Sequence, residues 1–489
     1  MRVVIVGAGI SGLACASRLA AAGHDVFLLE RSSHVGGKAA EATFDGYRFD
    51  LGPSLFTLPE NLDAVFIDAG KDPRAYYDYS RLSTCCVYHF SDGTQLRAHA
   101  EPARFAAEIE AVTGEPHESV LAYLDQARRL YDATAPVFLE NSLHRYSTYT
   151  SRAALNALTR VPPRALLTSM HAVNRRWFSD PRVVQLFDRY ATYNGSDPYR
   201  ASGVLTQIPH LEHNLGAYFP RGGMAVIPKA LSKLAQDLGV RLQLNTPVRR
   251  ILHQNGRVTG VQTNSGAVPA DIVVSAGDIV ATYKHLLSDV SAPRAVTSQE
   301  RSSSAVIFYW GVQRTFLELD VHNIFFSADY EREFRQIFVE KTVPDDPTIY
   351  VHVSSKVEPN DAPEGCENWF VMVNVPADEG QAWPSLIDQL RRRVVQRLSE
   401  RLGTQLADLI VTESTLHPQL IEQRTSSHGG ALYGASSNQR SSAFHRHANI
   451  SSTIRNLYFC GGSVHPGGGI PLCLNSANIV AREVARRGE

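Results

Sequence analysis

Val3-Val4-Ile5-Val6-Gly7-Ala8-Gly9-Ile10-Ser11-Gly12 joins four apolar, β-branched residues to a run punctuated by glycine. The first four predict a short buried parallel strand that glycine ends. Ser11 to Ala22 predicts an alanine-rich helix stopped at Gly23, and Asp25 to Glu30 (DVFLLE) predicts a second strand. Strand, glycine turn, helix and strand within about thirty residues make the opening βαβ unit of a doubly wound α/β sheet. In the spacing Gly7-x-Gly9-x-x-Gly12, Gly7 permits the tight turn and Gly9 lets main chain approach a pyrophosphate. Gly12 lets the helix pack closely on the strand. The helix N-terminus adds unpaired N–H groups and a partial positive charge. Glu30 lies about twenty residues downstream, where an acid accepts hydrogen bonds from an adenosine ribose. The plain alternative is a glycine-rich structural turn with Glu30 solvated.

Working outward, a second unit of similar character begins after Pro220-Arg221-Gly222-Gly223. A helix is expected from Met224 to Leu238, closed by Gly239. Strands are expected at Arg241–Leu244, Val248–Leu252, Val258–Thr263 and Asp271–Ser275, with Asn255-Gly256 as a hairpin turn. A third piece ends the chain: a strand at Asn456–Cys460, a glycine-rich turn, and a helix from Leu472 to Arg487. Between these pieces the character changes. Residues 85 to 215 read as largely helical, and 304–312, 348–354 and 368–375 as strands of another sheet. The expected architecture is α/β: a discontinuous Rossmann-like dinucleotide domain with an inserted α+β domain. Its pieces are 1–84, 216–290 and 431–489, and the inserted domain takes 85–215 and 291–430.

Composition narrows the function. A 489-residue chain with 44% hydrophobic and 20% charged residues suits two to three globular domains. The net charge of -1 gives no whole-molecule field for nucleic acid. Cys15, Cys85, Cys86, Cys366, Cys460 and Cys473 form no C-x-x-C pair and no metal-like cluster, so a reduced, cytoplasmic protein without a bound metal is expected. The apolar N-terminus is interrupted by Gly7, Gly9, Ser11, Gly12 and Arg18, which argues against a signal peptide. No run approaches ~20 uninterrupted apolar residues, the length of a membrane-spanning helix.

The residues after Glu30 bear on NAD against FAD. Gly36-Gly37-Lys38-Ala39 and Gly46-Tyr47-Arg48-Phe49-Asp50-Leu51-Gly52-Pro53 resemble the flavin amine oxidase and phytoene desaturase superfamily, in which a GG-R-x segment runs along FAD. Lys38 stands where arginine is usual, keeping the charge without the bidentate fork. Tyr458-Phe459-Cys460-Gly461-Gly462-Ser463-Val464-His465-Pro466-Gly467-Gly468-Gly469 resembles the closing FAD motif of bacterial phytoene desaturases. Asn245-Thr246-Pro247-Val248 resembles the strand whose valine backbone meets adenine. The resemblance implies FAD as cofactor, held by Gly7, Gly9, Gly12, Glu30, Gly37, Lys38, Val248, Gly461, Gly462 and Gly468.

The resemblance covers the whole chain, taking in Gly195-Ser196-Asp197-Pro198-Tyr199, Pro209-His210-Leu211-Glu212 and Val273-Val274-Ser275-Ala276-Gly277-Asp278. Leu432-Tyr433-Gly434-Ala435-Ser436-Ser437-Asn438 and Arg446-His447-Ala448-Asn449 look most like hydroxycarotenoid 3,4-desaturases. It implies dehydrogenation of a long polyene in an apolar tunnel, with oxygen or a quinone taking the electrons. Asp197, Glu212, His210 and His465 are the candidate acid–base groups, with His213 beside them; His465 also reads as a loop-orienting residue. Val306-Ile307-Phe308-Tyr309-Trp310 suits either the tunnel wall or ordinary core. Asn141 to Ser179 contains no Asp or Glu but has Arg145, Arg152, Arg160, Arg164, Arg175 and Arg176, which fits peripheral contact with anionic headgroups of the cytoplasmic membrane or a basic solvated face. Phytoene or diapophytoene desaturase, a carotenoid isomerase or oxygenase, and a prenyl-binding escort are the rival readings.

Overall fold

The computed structural model describes residues 1–439 and 445–488. Five strands make one parallel sheet in the order Leu457–Phe459, Ile272–Ser275, Arg2–Val6, Asp25–Leu29 and Arg241–Gln243. Its central strand holds Val3, Val4 and Ile5 with no exposed surface, as a β-branched run covered on both faces should. The opening helix spans Ile10–Ala21, and the closing helix Ile470–Gly488 packs against it. First, middle and last stretches of the chain thus share one sheet and one core.

The hairpin at Asn255-Gly256 joins Val248–Gln254 to Arg257–Thr263 in a separate three-stranded antiparallel sheet, with Gly266–Pro269 as its third strand. Both turn residues have positive φ (51° and 68°), the geometry that favours Asn-Gly in a two-residue loop.

The third large sheet has seven strands in the order Ile410–Leu416, Ser304–Val312, Glu367–Val375, Ile349–Val353, His322–Phe325, Thr84–His89 and Gln95–His99. All neighbours are antiparallel except Thr84–His89 with His322–Phe325. The stretch read as largely helical from residue 85 therefore begins with two strands. Thr84–His89 is rich in strand-forming residues, but its parallel partner lies more than two hundred positions away, beyond local pattern. Helices come next, including Pro102–Thr113, His117–Phe138, Arg152–Arg160 and Pro181–Asp188.

Antiparallel register puts Leu416, Ile307, Met372, Tyr350 and Ile324 in one cross-strand row. The opposite face of the same strands buries Val306, Phe308, Trp310 and Trp369 against the helix Trp383–Leu402. Period-two alternation thus divides the stretch 306–310 between two destinations. Its Ile307 faces the large cavity of the molecule, while Val306, Phe308 and Trp310 are core.

Candidate active site

The turn after the first strand is held from both sides. Gly7 N–H donates to the Leu29 carbonyl at 2.8 Å, and Gly36 N–H to the Ala8 carbonyl at 2.8 Å. A Cβ on Gly12 would stand 2.0 Å from the Gly7 carbonyl oxygen, so the helix comes this close to the strand only without a side chain. At Gly9 a Cβ would meet nothing within 4 Å. The two glycines answer different demands: Gly12 faces protein and Gly9 faces open space.

That space is a cavity of about 1410 Å³. It exceeds the ~300–1,000 Å³ of a pocket for one drug-sized ligand, leaving room for a dinucleotide and a second molecule. Gly7, Gly9, Glu30, Gly37, Lys38, Val248, Gly461, Gly462 and Gly468 line it; Gly12 does not, consistent with its packing place. A Cβ on Gly461 would meet Ser11 Oγ at 3.2 Å, and one on Gly462 would meet Gly468 Cα at 3.2 Å. The C-terminal glycines therefore sit directly on the N-terminal turn. Gly9–Ser11 and Gly469–Pro471, where the two helices start, both line the cavity, so two positive helix ends border it. Bare main chain, open space at Gly9 and Gly469, and paired helix N-termini fit an extended dinucleotide.

Glu30 is 9% exposed, with Oε2 accepting the Ala8 N–H at 2.7 Å and Oε1 the Ser32 N–H at 2.8 Å. Each oxygen keeps a further lone pair for a ribose hydroxyl. Thr246 N–H donates to the Glu30 carbonyl at 2.7 Å, bringing the Val248 segment alongside. Lys38, which the resemblance places among the cofactor residues, lines the cavity and directs Nζ to the carbonyls of Ala431 (3.1 Å) and Leu432 (2.7 Å), clasping the last piece of the chain to the first.

The four acid–base candidates separate. Glu212 lines the cavity, whereas Asp197, His210 and His465 do not. Asp197 is pushed up to about 6 by burial, and its Oδ1 accepts the Tyr199 N–H. His210 Nδ1 accepts from the Asn214 amide at 2.8 Å. His465 Nε2 donates to the Asn141 carbonyl at 2.8 Å, and burial lowers it to about 4, leaving it neutral and structural. His213, lowered to about 4 by burial, stacks on Phe105 with centroids 4.2 Å apart.

Glu212 is embedded in a polar cluster that sequence reasoning missed. Arg189 Nη2 lies 3.3 and 3.4 Å from its two oxygens and donates to Tyr88 OH at 2.8 Å. Tyr190 OH donates to Oε1 at 2.9 Å, and Tyr193 OH to Oε2. Burial raises the Glu212 pKa, but the Arg189 guanidinium and the two tyrosine hydroxyls outweigh it, so the carboxyl stays below its ordinary value and ionised. Arg189, Tyr193 and Glu212 line the cavity together. The signal lay in Arg189-Tyr190-Ala191-Thr192-Tyr193, an arginine with aromatic neighbours ahead of Glu212.

Beyond these groups the cavity meets the seven-stranded sheet, whose row Leu416, Ile307, Met372, Tyr350 and Ile324 lines it throughout. Among the described residues, none from 141 to 179 lines it.

A glycine turn, a buried carboxylate tied to it and a second glycine-lined helix end on one cavity mark an FAD-dependent oxidoreductase. The chain belongs to the flavin containing amine oxidoreductase family, which it matches over residues 10–485. It is 45% identical over 480 residues to the 1-hydroxycarotenoid 3,4-desaturase of Flavobacterium sp. (strain P99-3), covering 98% of each chain. It is 32% identical to the 4,4'-diapolycopene oxygenase of Methylomonas sp, covering 99% of this chain and 98% of that one. Among solved structures, an oxidoreductase from Methanosarcina mazei shares the fold, with a TM-score of 0.63, 16% identity and 99% and 100% coverage.

Proposed function

We propose that this protein is a carotenoid desaturase that introduces the 3,4 double bond into a 1-hydroxycarotenoid. The observation that carries the reading is the single cavity running from the glycine turns of both chain ends to an apolar sheet face. The relative at 45% identity supports the substrate class.

Two neighbouring carbons of the polyene each lose a hydrogen, one as hydride and one as a proton. FAD, when bound, supplies the two-electron acceptor for the hydride. Gly9 brings a main-chain N–H to its pyrophosphate, with Gly7 permitting the tight turn and Gly12 allowing the approach. Glu30 holds the ribose, Val248 the adenine through main chain, and Gly37, Gly461, Gly462 and Gly468 present bare main chain to the cofactor along the cavity wall. Glu212, ionised within reach of the cavity, takes the proton, with Arg189 and the tyrosine hydroxyls orienting its carboxyl. Lys38 serves by clasping Ala431 and Leu432 rather than by touching phosphate. Oxygen or a quinone reoxidises the enzyme.

The same reading puts the protein peripherally on the cytoplasmic membrane, from which an apolar polyene is drawn. Tyr146, Leu155, Leu158, Leu166 and Leu167 are all exposed, Leu158 at 79%, beside the exposed Arg152, Arg160 and Arg164. Arg145 is spent elsewhere, paired with the buried Glu483. Among the described residues no helix is long and apolar enough to cross a membrane.

The deciding experiment is expression in cells that make lycopene, γ-carotene or their 1-hydroxy derivatives, with analysis of the pigments formed. New 3,4-desaturated hydroxycarotenoid is expected. Conversion of phytoene alone, or an oxygenated or isomerised product, would overturn the 3,4-desaturase reading. A colourless protein that binds isoprenoid and refuses FAD would make it an escort.

A further inference from the structure

The cross-strand row Leu416, Ile307, Met372, Tyr350 and Ile324 crosses five strands of the cavity wall. Four of its members are purely apolar. The fifth, Tyr350, carries a hydroxyl, and that hydroxyl heads a chain of neutral hydrogen-bonding groups. Tyr350 OH lies 2.7 Å from His322 Nδ1 and 2.8 Å from Ser54 Oγ. Ser54, Tyr350 and His322 all line the cavity. A polar chain on an apolar wall is costly unless a partner completes it.

The chain has capacity to spare. His322 Nε2 is buried without a hydrogen-bond partner. Ser54 Oγ can form up to three hydrogen bonds and is seen with one, to Tyr350. Tyr350 and Ser54 both keep some accessible surface, unlike His322 at 3%. The chain also sits at a junction. Ser54 comes directly after the segment Leu51-Gly52-Pro53, and Gly52 packs on the Lys38 carbonyl, so Ser54 belongs to the dinucleotide side. Tyr350 and His322 belong to the seven-stranded sheet. The hydrogen bond between Ser54 and Tyr350 spans the two halves of the site.

We infer that Ser54, Tyr350 and His322 form the anchor for the tertiary hydroxyl of the substrate and so select both the hydroxylated carotenoid and the bond to be desaturated. The inference rests on the desaturase reading of the same cavity. A hydroxyl on C1 lies roughly 3 to 5 Å from C3 and C4, given carbon–carbon bonds of about 1.5 Å. Its anchor must therefore lie where the dinucleotide side meets the tunnel, which is where Ser54 and Tyr350 meet. With the hydroxyl held by Ser54 and Tyr350, the 3,4 bond is fixed within two carbons of it, and sliding of a uniform polyene along the apolar row is stopped. A carotenoid without the hydroxyl leaves the chain of donors and acceptors unpaired, a penalty that can reach discrimination of about 10⁴ in sites built for a hydroxyl.

The test uses the FAD-loaded enzyme, its Tyr350→Phe, Ser54→Ala and Ser54→Thr variants, and two substrates in liposomes: a 1-hydroxylated carotenoid and its 1-deoxy counterpart. The readout is the ratio of kcat/KM between the two substrates, which does not depend on the fraction of enzyme that folds. The wild type is expected to favour the hydroxylated substrate at least a hundredfold. Tyr350→Phe and Ser54→Ala should each lower that ratio at least tenfold, while Ser54→Thr retains it. A wild type that desaturates both substrates equally, or variants that leave the ratio unchanged, would overturn the anchor while the desaturase reading stands. Turnover of neither substrate by the flavin-loaded wild type would overturn that reading and the anchor together.

Discussion

The carboxylate of Glu30 accepts the N–H of Ala8 at 2.7 Å, tying the end of the second strand to the glycine turn at the end of the first. Its other oxygen accepts the Ser32 N–H, so one side chain sets the geometry of two backbone segments bordering the dinucleotide space. Glu30→Gln leaves a single acceptor oxygen for two N–H groups. One donor then goes unpaired, at a cost of about 1–3 kcal/mol. Urea unfolding of the variant should reveal that loss, and FAD titration should reveal weaker binding. A variant that equals the wild type in both would remove Glu30 from the site.

Gly9 and Gly12 predict opposite failures. Gly12→Ala drives a Cβ into the Gly7 carbonyl, and overpacking of this kind costs about 1–3 kcal/mol or more. Gly9→Ala meets no protein atom and has a φ of -72°, which alanine adopts freely. The first should lower the Tm of protein stripped of FAD. The second should leave that Tm within the equivalent of ~0.5 kcal/mol, as for an unstrained surface change, yet weaken FAD binding at least tenfold.

Acid should unfold the protein over a defined range. Burial holds His213, His352, His447 and His465 at about 4 in the folded state, against 6.5 when unfolded. Between these values the unfolded chain binds more protons, so stability falls as pH drops from 6.5 to 4, by up to about 1.4 kcal/mol per pH unit for each histidine. Asp197 and Glu333 act in the opposite sense. Burial raises them to about 6 and about 7, so each contributes a penalty that grows as pH rises from their unfolded values and is complete above those pKa values. Asp197→Asn, which keeps the acceptor for Tyr199, should therefore stabilise the protein at pH 8 by up to about 3 kcal/mol and have no such effect at pH 3. Chemical unfolding at the two pH values checks both signs.

Leu158→Asp and Leu167→Asp should weaken binding to anionic vesicles at least tenfold without changing FAD content, because both side chains are exposed and neither lines the cavity. Binding of the wild type should also weaken with salt, as expected for Arg152, Arg160 and Arg164 facing headgroups. Vesicle sedimentation at low and high ionic strength measures both.

The dinucleotide turns were legible because their demands are local. Gly7, Gly9 and Gly12 act through the backbone they sit in, and Glu30 closes a unit of thirty residues. The acid–base candidates were chosen by neighbourhood in the sequence, and three of them have structural partners instead: His465 with Asn141, His210 with Asn214, Asp197 with Tyr199. The polar groups that do line the cavity come from separate strands and helices. Ser54, His322 and Tyr350 meet only through sheet register and domain contact, and no spacing in the sequence announces it. Glu212 was among the candidates and lines the cavity, but its partner Arg189 lies twenty-three positions away, across two 3₁₀ segments and the loop between them.

The strand Leu457–Phe459 enters the parallel sheet at its edge, and Gly461 then settles on Ser11. The glycine turn after Arg2–Val6 precedes this strand by more than four hundred residues in the order of synthesis. Between the making of Ile272–Ser275 and of Leu457–Phe459, the sheet has an open edge and the cavity lacks the wall that Gly461 and Gly462 supply. The cavity wall closes only when these two distant stretches meet, so flavin retention reports on the integrity of the segment from 457 to 473.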